Sequence, residues 1–271
     1  MSSIPIPIVS VVPGPDVPAR TSILGVGISV VDVHEAIRQC EELVRARGHG
    51  YLCAVDAHSL VEAVRNPAHR RILNHAFLTV ADGMPLVWMG RLRGNAAMRR
   101  VYGPDFLLAV CAYSVERGWR HFFYGGRPGV AGRLAARLTE RFPGLQIAGT
   151  FAPPFRDLTP AEETELKARV EEARTDVLWV GLGAPRQERF MAEHNGKLAC
   201  ALMAGVGAAF DFHSGMVKEA PRWLHNTGLQ WVYRVMREPR RLGRRYLTCI
   251  PVFAWNVGLE VAGIRRLRPE T

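Results

Sequence analysis

No C-x-x-C pair occurs in this chain, and no histidine stands at ligand spacing from any of its five cysteines, Cys40, Cys53, Cys111, Cys200 and Cys249. An odd, scattered set excludes a disulfide scaffold and a structural zinc site, and is the usage of a reduced, cytosolic protein. G-x-G-x-x-G and G-x-x-x-x-G-K-[ST] are missing, which weakens any dinucleotide or P-loop reading. Without D-x-D there is no obvious metal ligand pair. Without G-x-S-x-G or an ordered Cys-His pattern, nucleophilic catalysis has little support. The start, "MSSIPIPIVSVVPGPDVPARTS", has no positive region ahead of an apolar one and is broken by prolines, so it reads as a loose arm rather than a signal peptide. The longest apolar stretch, "LTCIPVFAWNVGLEVAGI", carries Pro251, Asn256 and Glu260, a poor fit to a bilayer-spanning helix.

What is present is a chain of 271 residues with the apolar fraction of an ordinary soluble protein, 48%, long enough to bury a full core. Its net charge of +10 is unevenly placed: residues 234 to 245, "RVMREPRRLGRR", hold six arginines against one glutamate. Such an excess points to an anionic partner: phosphate, diphosphate, anionic lipid or nucleic acid.

Short apolar runs alternate with helical patterns from about residue 22. The expected strands are "SILGVGISVV", "YLCAVD", "FLTVAD", "HFFYGG", "LQIAGTF", "VLWVGLG" and "ALMAGVGAAF". Between them, "DVHEAIRQCEELVRARG", "GPDFLLAVCAYSVERG" and "TPAEETELKARVEEARTD" read as helices, the last opened by Thr159-Pro160 with acids in its first turn. Near-continuous apolar strands separated by helices predict a Rossmann-like, doubly wound α/β fold with a mostly parallel sheet. The expected division is an arm over 1–21, an α/β domain over 22–220 and a helical, basic appendage over 221–271. That appendage has two readings of equal weight: an amphipathic segment on a membrane surface, or a helix pair packed on the sheet with a solvated basic face.

Sheets of this kind bind ligands beyond the carboxyl ends of their strands. There stand Asp56, Asp82-Gly83, Gly125-Gly126, Gly181 to Gly183 and Gly205 to Asp211. A carboxylate shielded in a crevice can take a proton from an attacking hydroxyl, which makes Asp82 a candidate general base. The plain alternative is that it caps the helix starting at Met84 or Pro85, and the same pair of readings applies to Asp56. "YGGRPGVAGRLAARL" is a strand, a glycine turn and a helix start; it faces an anion or is only a tight turn. "VGLGAPRQERFM" delivers Arg186, Gln187 and Glu188 to the same rim, where an amide suits a sugar hydroxyl or phosphate oxygen. "GVGAAFDFHSG" ends a strand with Asp211 and His213, and a carboxylate there suits ribose hydroxyls or a base edge.

"ADGMPLVW", "RVYGPDFL", "FFYGGRPGVAGRL", "FPGLQIAGTFAPPF", "VGLGAPRQERFM", "GVGAAFDFHSG" and "GLQWVYRVMREPRRLGRRYL", in this order from about residue 24 to 247, together resemble the WecG/TagA/CpsF family of bacterial glycosyltransferases. The resemblance implies metal-independent, inverting transfer of a sugar from a UDP-sugar to a polyprenyl-diphosphate-linked acceptor at the cytoplasmic membrane face. It makes Asp82 the catalytic base and ties Arg100, Gln187 and Asp211 to the UDP-sugar pocket. Arg234, Arg241 and Arg244 become appendage arginines that close over the site and hold diphosphate groups. Their spacing would put them on one helical face, bent at Pro239. Asp56 lies where many members carry the last residue of Thr-x-Asn, here Ala54-Val55-Asp56, on the pocket wall near the donor sugar. Gln230 stands in "GLQW" for the usual "GLEW". The implied partners are the UDP-sugar, the lipid-linked acceptor, the membrane face and a possible further copy of the chain, with no nucleic acid, cofactor or metal. Two rival readings compete: a nucleotide-dependent oxidoreductase, from the Rossmann-like alternation, and a nucleic-acid binder, from the arginine run.

Overall fold

The computed structural model describes residues 17–264 and Leu267, with the backbone but not the side chain of Arg241. Residues 1–16 of the expected arm lie outside the described residues.

The strands are β1 (Arg20–Ile23), β2 (Val26–Ser29), β3 (Gly50–Val55), β4 (Leu78–Ala81), β5 (Arg120–Gly125), β6 (Gln146–Phe151), β7 (Val177–Gly181) and β8 (Leu202–Gly205). The helices are α1 (Val33–Arg45), α2 (Ala57–Arg65), α3 (Pro67–His75), α4 (Met84–Leu92), α5 (Gly103–Ser114) and α6 (Val130–Arg141), then α7 (Pro160–Glu172), α8 (Arg186–His194), α9 (Ala209–His213), α10 (Gln230–Arg237) and α11 (Pro239–Val261). They fall into two compact units. The first contains Val33–Cys53 and Gly103–Val217; the second contains Pro18–Asp32, Ala54–Tyr102 and the chain from Lys218 onward.

In the first unit, β3, β8, β7, β5 and β6 lie side by side in that order, each neighbouring pair parallel. In β3, β5, β7 and β8, residues such as Leu52, Phe123, Trp179 and Leu202 are fully buried, as strands covered on both faces require, whereas the edge strand β6 stays partly exposed. In the second unit, Val55, the last residue of β3, accepts the Asp82 N–H at 2.8 Å. The α/β fold with a mostly parallel sheet is therefore the one expected. The helix opened by Thr159 also forms as read: Thr159 Oγ1 accepts from Glu162 N at 3.3 Å and Glu162 Oε2 from Thr159 N at 2.8 Å.

Two expectations are corrected. "SILGVGISVV" is not one strand of the large sheet but an antiparallel hairpin, β1 against β2, turning at Leu24 and Gly25 with φ of 50° and 78°. A turn with both central residues at positive φ suits a two-residue hairpin, but leucine rarely adopts it. The turn is held from outside: the Leu24 N–H donates to Glu260, which also pairs with Arg93 at 2.6 Å. The second correction concerns the appendage. Pro239 does not bend one helix; α10 ends at Arg237 and Pro239 opens α11, the position where a missing N–H costs nothing. Arg234 is thus on a different helix from Arg241 and Arg244, and the three share no single helical face.

Candidate active site

Asp82 directly follows β4, half-buried, and lines a cavity of about 190 Å³. The residue at the N-cap of α4 is Gly83, which has no side chain to cap with. Gly83 sits close to the end of β3, where an added Cβ would come within 3.6 Å of the Asp56 side chain. The cavity belongs wholly to the second unit: Asp56 and His58 come from the β3–α2 junction, Arg100 and Tyr102 precede α5, and Arg234 is on α10. From α11 come Tyr246, Cys249, Ile250 and Phe253, at the i, i+3, i+4, i+7 spacing of one helical face.

Arg100 is the most committed side chain at this site. Its Nε donates to the Asp82 carbonyl at 2.5 Å, one terminal nitrogen donates to the His225 carbonyl, and the other donates to Gln230 Oε1 at 2.6 Å. Its guanidinium also lies 4.2 Å from the centre of the Tyr102 ring, a cation–π contact. The other ring neighbour of Tyr102 is His225, edge-on at 5.4 Å. Burial first, then the charges of Asp82 and Glu219, push the Tyr102 phenol far above its usual range, so it stays protonated. Its hydroxyl is buried without a hydrogen-bond partner among the described residues.

Asp56 realises the plainer of its two readings: it caps α2, accepting from Ser59 N at 3.0 Å. The carboxylate also faces Arg245 of α11 at 3.9 Å. Burial alone would raise its pKa, but the Arg245 charge, the Ser59 bond and the charges of His58 and Arg234 outweigh that and hold it below the usual carboxylate range. The neighbouring His58 is lowered by burial and by Arg245. Of the expected appendage arginines, Arg234 lines the cavity, Arg244 is exposed on α11, and the Arg241 side chain lies outside the described residues. Arg245, one residue beyond the expected set, is the α11 arginine turned to Asp56. Tyr102, His225, Gln230, Arg245 and Tyr246 are thus site residues that sequence reasoning passed over as site residues. No pattern of charge or spacing marks the two tyrosines; Gln230 had a signal, its amide in "GLQW" where "GLEW" is usual. Arg245 had one, the doubled arginine of "LGRRY".

Gln187 and Asp211 lie in the first unit. Gln187, in the first turn of α8, is 3% exposed; its Nε2 donates to Glu188 Oε1 at 3.1 Å, and its Oε1 has no partner among the described residues. It packs over the end of β8, where a Cβ on Gly205 would meet Gln187 Nε2 at 3.0 Å. Asp211 is on α9, with Arg127 of the glycine turn 3.9 Å away. His213 is used structurally, its Nε2 within 2.9 Å of the Pro104 carbonyl. The glycine turn is tight for a steric reason: at Gly125, φ is +130° and a Cβ would lie 2.6 Å from the Gly181 backbone.

The sequence profile described as "Glycosyl transferase WecG/TagA/CpsF family" matches residues 21–267. The chain belongs to this family. As a glycosyltransferase it is not an oxidoreductase, and the rival drawn from the Rossmann-like alternation falls. A similar protein from Bacillus spizizenii (strain ATCC 23059 / NRRL B-14472 / W23), 29% identical over 194 residues, is named N-acetylglucosaminyldiphosphoundecaprenol N-acetyl-beta-D-mannosaminyltransferase. The aligned part covers 70% of this glycosyltransferase and 74% of that protein.

Proposed function

We propose that this glycosyltransferase moves a hexosyl or N-acetylhexosaminyl group from a UDP-sugar to a saccharide carried on a polyprenyl diphosphate, with inversion, in cell-surface polysaccharide synthesis. The observation that supports the reading is the position of Asp82: it follows β4 at the border of a cavity that Arg234 also lines. The acceptor hydroxyl attacks the anomeric carbon of the donor. Its oxygen forms the new glycosidic bond, Asp82 takes its proton, and the bond to the diphosphate oxygen breaks, releasing UDP. One displacement inverts the anomeric centre. Guanidinium groups suit the charge on the departing diphosphate, because their forks match phosphate oxygens and stay ionised. That Arg234 lines the cavity supports this role for it; Arg241 and Arg244 keep that role through the resemblance, as Gln187 and Asp211 keep donor binding. The acceptor in the name of the Bacillus relative, an undecaprenyl diphosphate carrying N-acetylglucosamine, supports the acceptor class.

The acceptor class also supports work at a membrane surface. Among the described residues no helix is long and apolar enough to cross a membrane. α11 instead has two faces. Tyr246, Cys249, Ile250 and Phe253 turn to the cavity, whereas Leu247, Pro251, Ala254, Trp255, Gly258 and Val261 are exposed. An apolar outward stripe with exposed Arg240 and Arg244 at its start suits a helix lying in a headgroup layer. The test of the whole reading is a panel of UDP-sugars offered with N-acetylglucosaminyldiphosphoundecaprenol, with UDP release followed and the product anomer read by NMR. Retention of configuration, or no UDP release with any sugar, rejects it.

A further inference from the structure

Arg100 carries five N–H donors, and three of them are spent inside the protein, on two carbonyls and one amide oxygen. All three acceptors are neutral, so these bonds hold the guanidinium in place without cancelling its charge. The third acceptor, Gln230, is buried at the start of α10, and it is the only side chain among the three. A carboxylate at this position would make the same bond more strongly. What distinguishes an amide here is that its bond does not cancel the guanidinium charge.

That charge bears on Asp82, whose own carbonyl receives the Arg100 Nε. Other titratable groups also surround the cavity. Asp56 and Arg245 face one another, His58 is lowered by burial, and Tyr102 and Tyr246 are raised by burial and remain neutral. The His225 ring is engaged by the Ala220 carbonyl at 3.0 Å and Glu219 at 3.7 Å. Arg234 also lines the cavity, and its charge acts on Asp56 and Tyr102.

We propose that Gln230 is a positioning residue for sugar transfer: its amide oxygen fixes Arg100, and through Arg100 the Asp82 peptide, while its neutrality leaves the guanidinium charge to keep the Asp82 carboxyl ionised. The inference rests on the reading of Asp82 as the base.

The test compares full-length wild type, Q230E, Q230M and D82N, using N-acetylglucosaminyldiphosphoundecaprenol and the best donor of the UDP-sugar panel. In Q230E the new carboxylate cancels Arg100, so the acidic limb of the kcat/KM pH profile moves up by about one pH unit while the melting temperature holds or rises. In Q230M the acceptor is gone but the charge is not, so kcat falls about tenfold with the limb in place. An unmoved limb in Q230E overturns the charge role, and wild-type kcat in Q230M overturns the positioning role. A lowered melting temperature with unchanged kinetics in both overturns the whole proposal and leaves Gln230 a structural residue. D82N separates the two levels: if it is inactive, failure of the Gln230 variants sinks this inference alone, whereas normal D82N turnover sinks the base reading itself.

Discussion

The Arg245 guanidinium stands 3.9 Å from the Asp56 carboxylate, joining α11 to the junction of β3 and α2. The pair has a definite pH signature. Because the folded-state pKa of Asp56 is lowered, its charge stabilises the fold above the unfolded carboxylate pKa of about 3.9, and that contribution is lost as pH falls through the folded value. Replacing Asp56 by Asn keeps a capping oxygen but removes the charge. The melting temperature of D56N is expected to fall less than that of wild type between pH 7 and pH 3. D56A loses the cap as well, at a cost of about 1–2 kcal/mol at pH 7. Parallel pH slopes for D56N and wild type would show that the ion pair contributes nothing to folding.

Asp82→Asn is the sharpest test of the chemistry. The amide keeps the shape of the side chain, so the melting temperature is expected within about 0.5 kcal/mol of wild type in stability terms. Loss of a proton acceptor costs about 10²–10⁴-fold in turnover. UDP affinity, measured by calorimetry, should be nearly unchanged. Turnover near the wild-type rate would leave Asp82 without a catalytic part.

The strands of the large sheet were legible because strands buried on both faces are written as unbroken apolar runs, and Asp82 was legible because it ends one of them. The hairpin was not, because Leu24 carries no turn signature; its positive φ is enforced by neighbours, including Glu260 far along the chain. Pro239 was seen, but whether a proline bends a helix or begins one depends on the backbone before it. The hub at Arg100 was least legible. The resemblance ties Arg100 to a ligand pocket, yet its hydrogen-bond partners are Asp82, His225 and Gln230, and a pairing across 130 positions leaves no local pattern. Local periodicity locates elements; it does not say which distant side chain meets which.

Gly125 tests the strand-end turn of the first unit. A methyl group there would sit 2.6 Å from the carbonyl carbon and oxygen of Gly181, and φ of +130° is itself strained for any L side chain. Backbone strain and overpacking together predict that G125A loses about 2–5 kcal/mol. The urea midpoint should fall with an unchanged slope. A midpoint equal to wild type would mean that β5 and β7 part easily at their carboxyl ends, contrary to the packing described.

The outward face of α11 gives the last prediction. Leu247 is 78% exposed and Trp255 69%, two turns apart on the same helix, and neither packs against the cavity. Substituting both with Glu places two charges where the apolar stripe would enter a lipid headgroup layer. Each such side chain contributes on the order of 1.5–3 kcal/mol when buried, so the double variant should lose at least about tenfold in affinity for anionic vesicles by co-sedimentation. Because both positions are exposed, thermal stability should hold. Turnover of a short-chain, water-soluble analogue of the lipid acceptor should hold too, while turnover of vesicle-embedded acceptor falls. If vesicle binding persists undiminished, the exposed stripe is not what meets the membrane; if turnover of the soluble analogue falls in step, the substitutions have disturbed the inner face of the helix and with it the cavity.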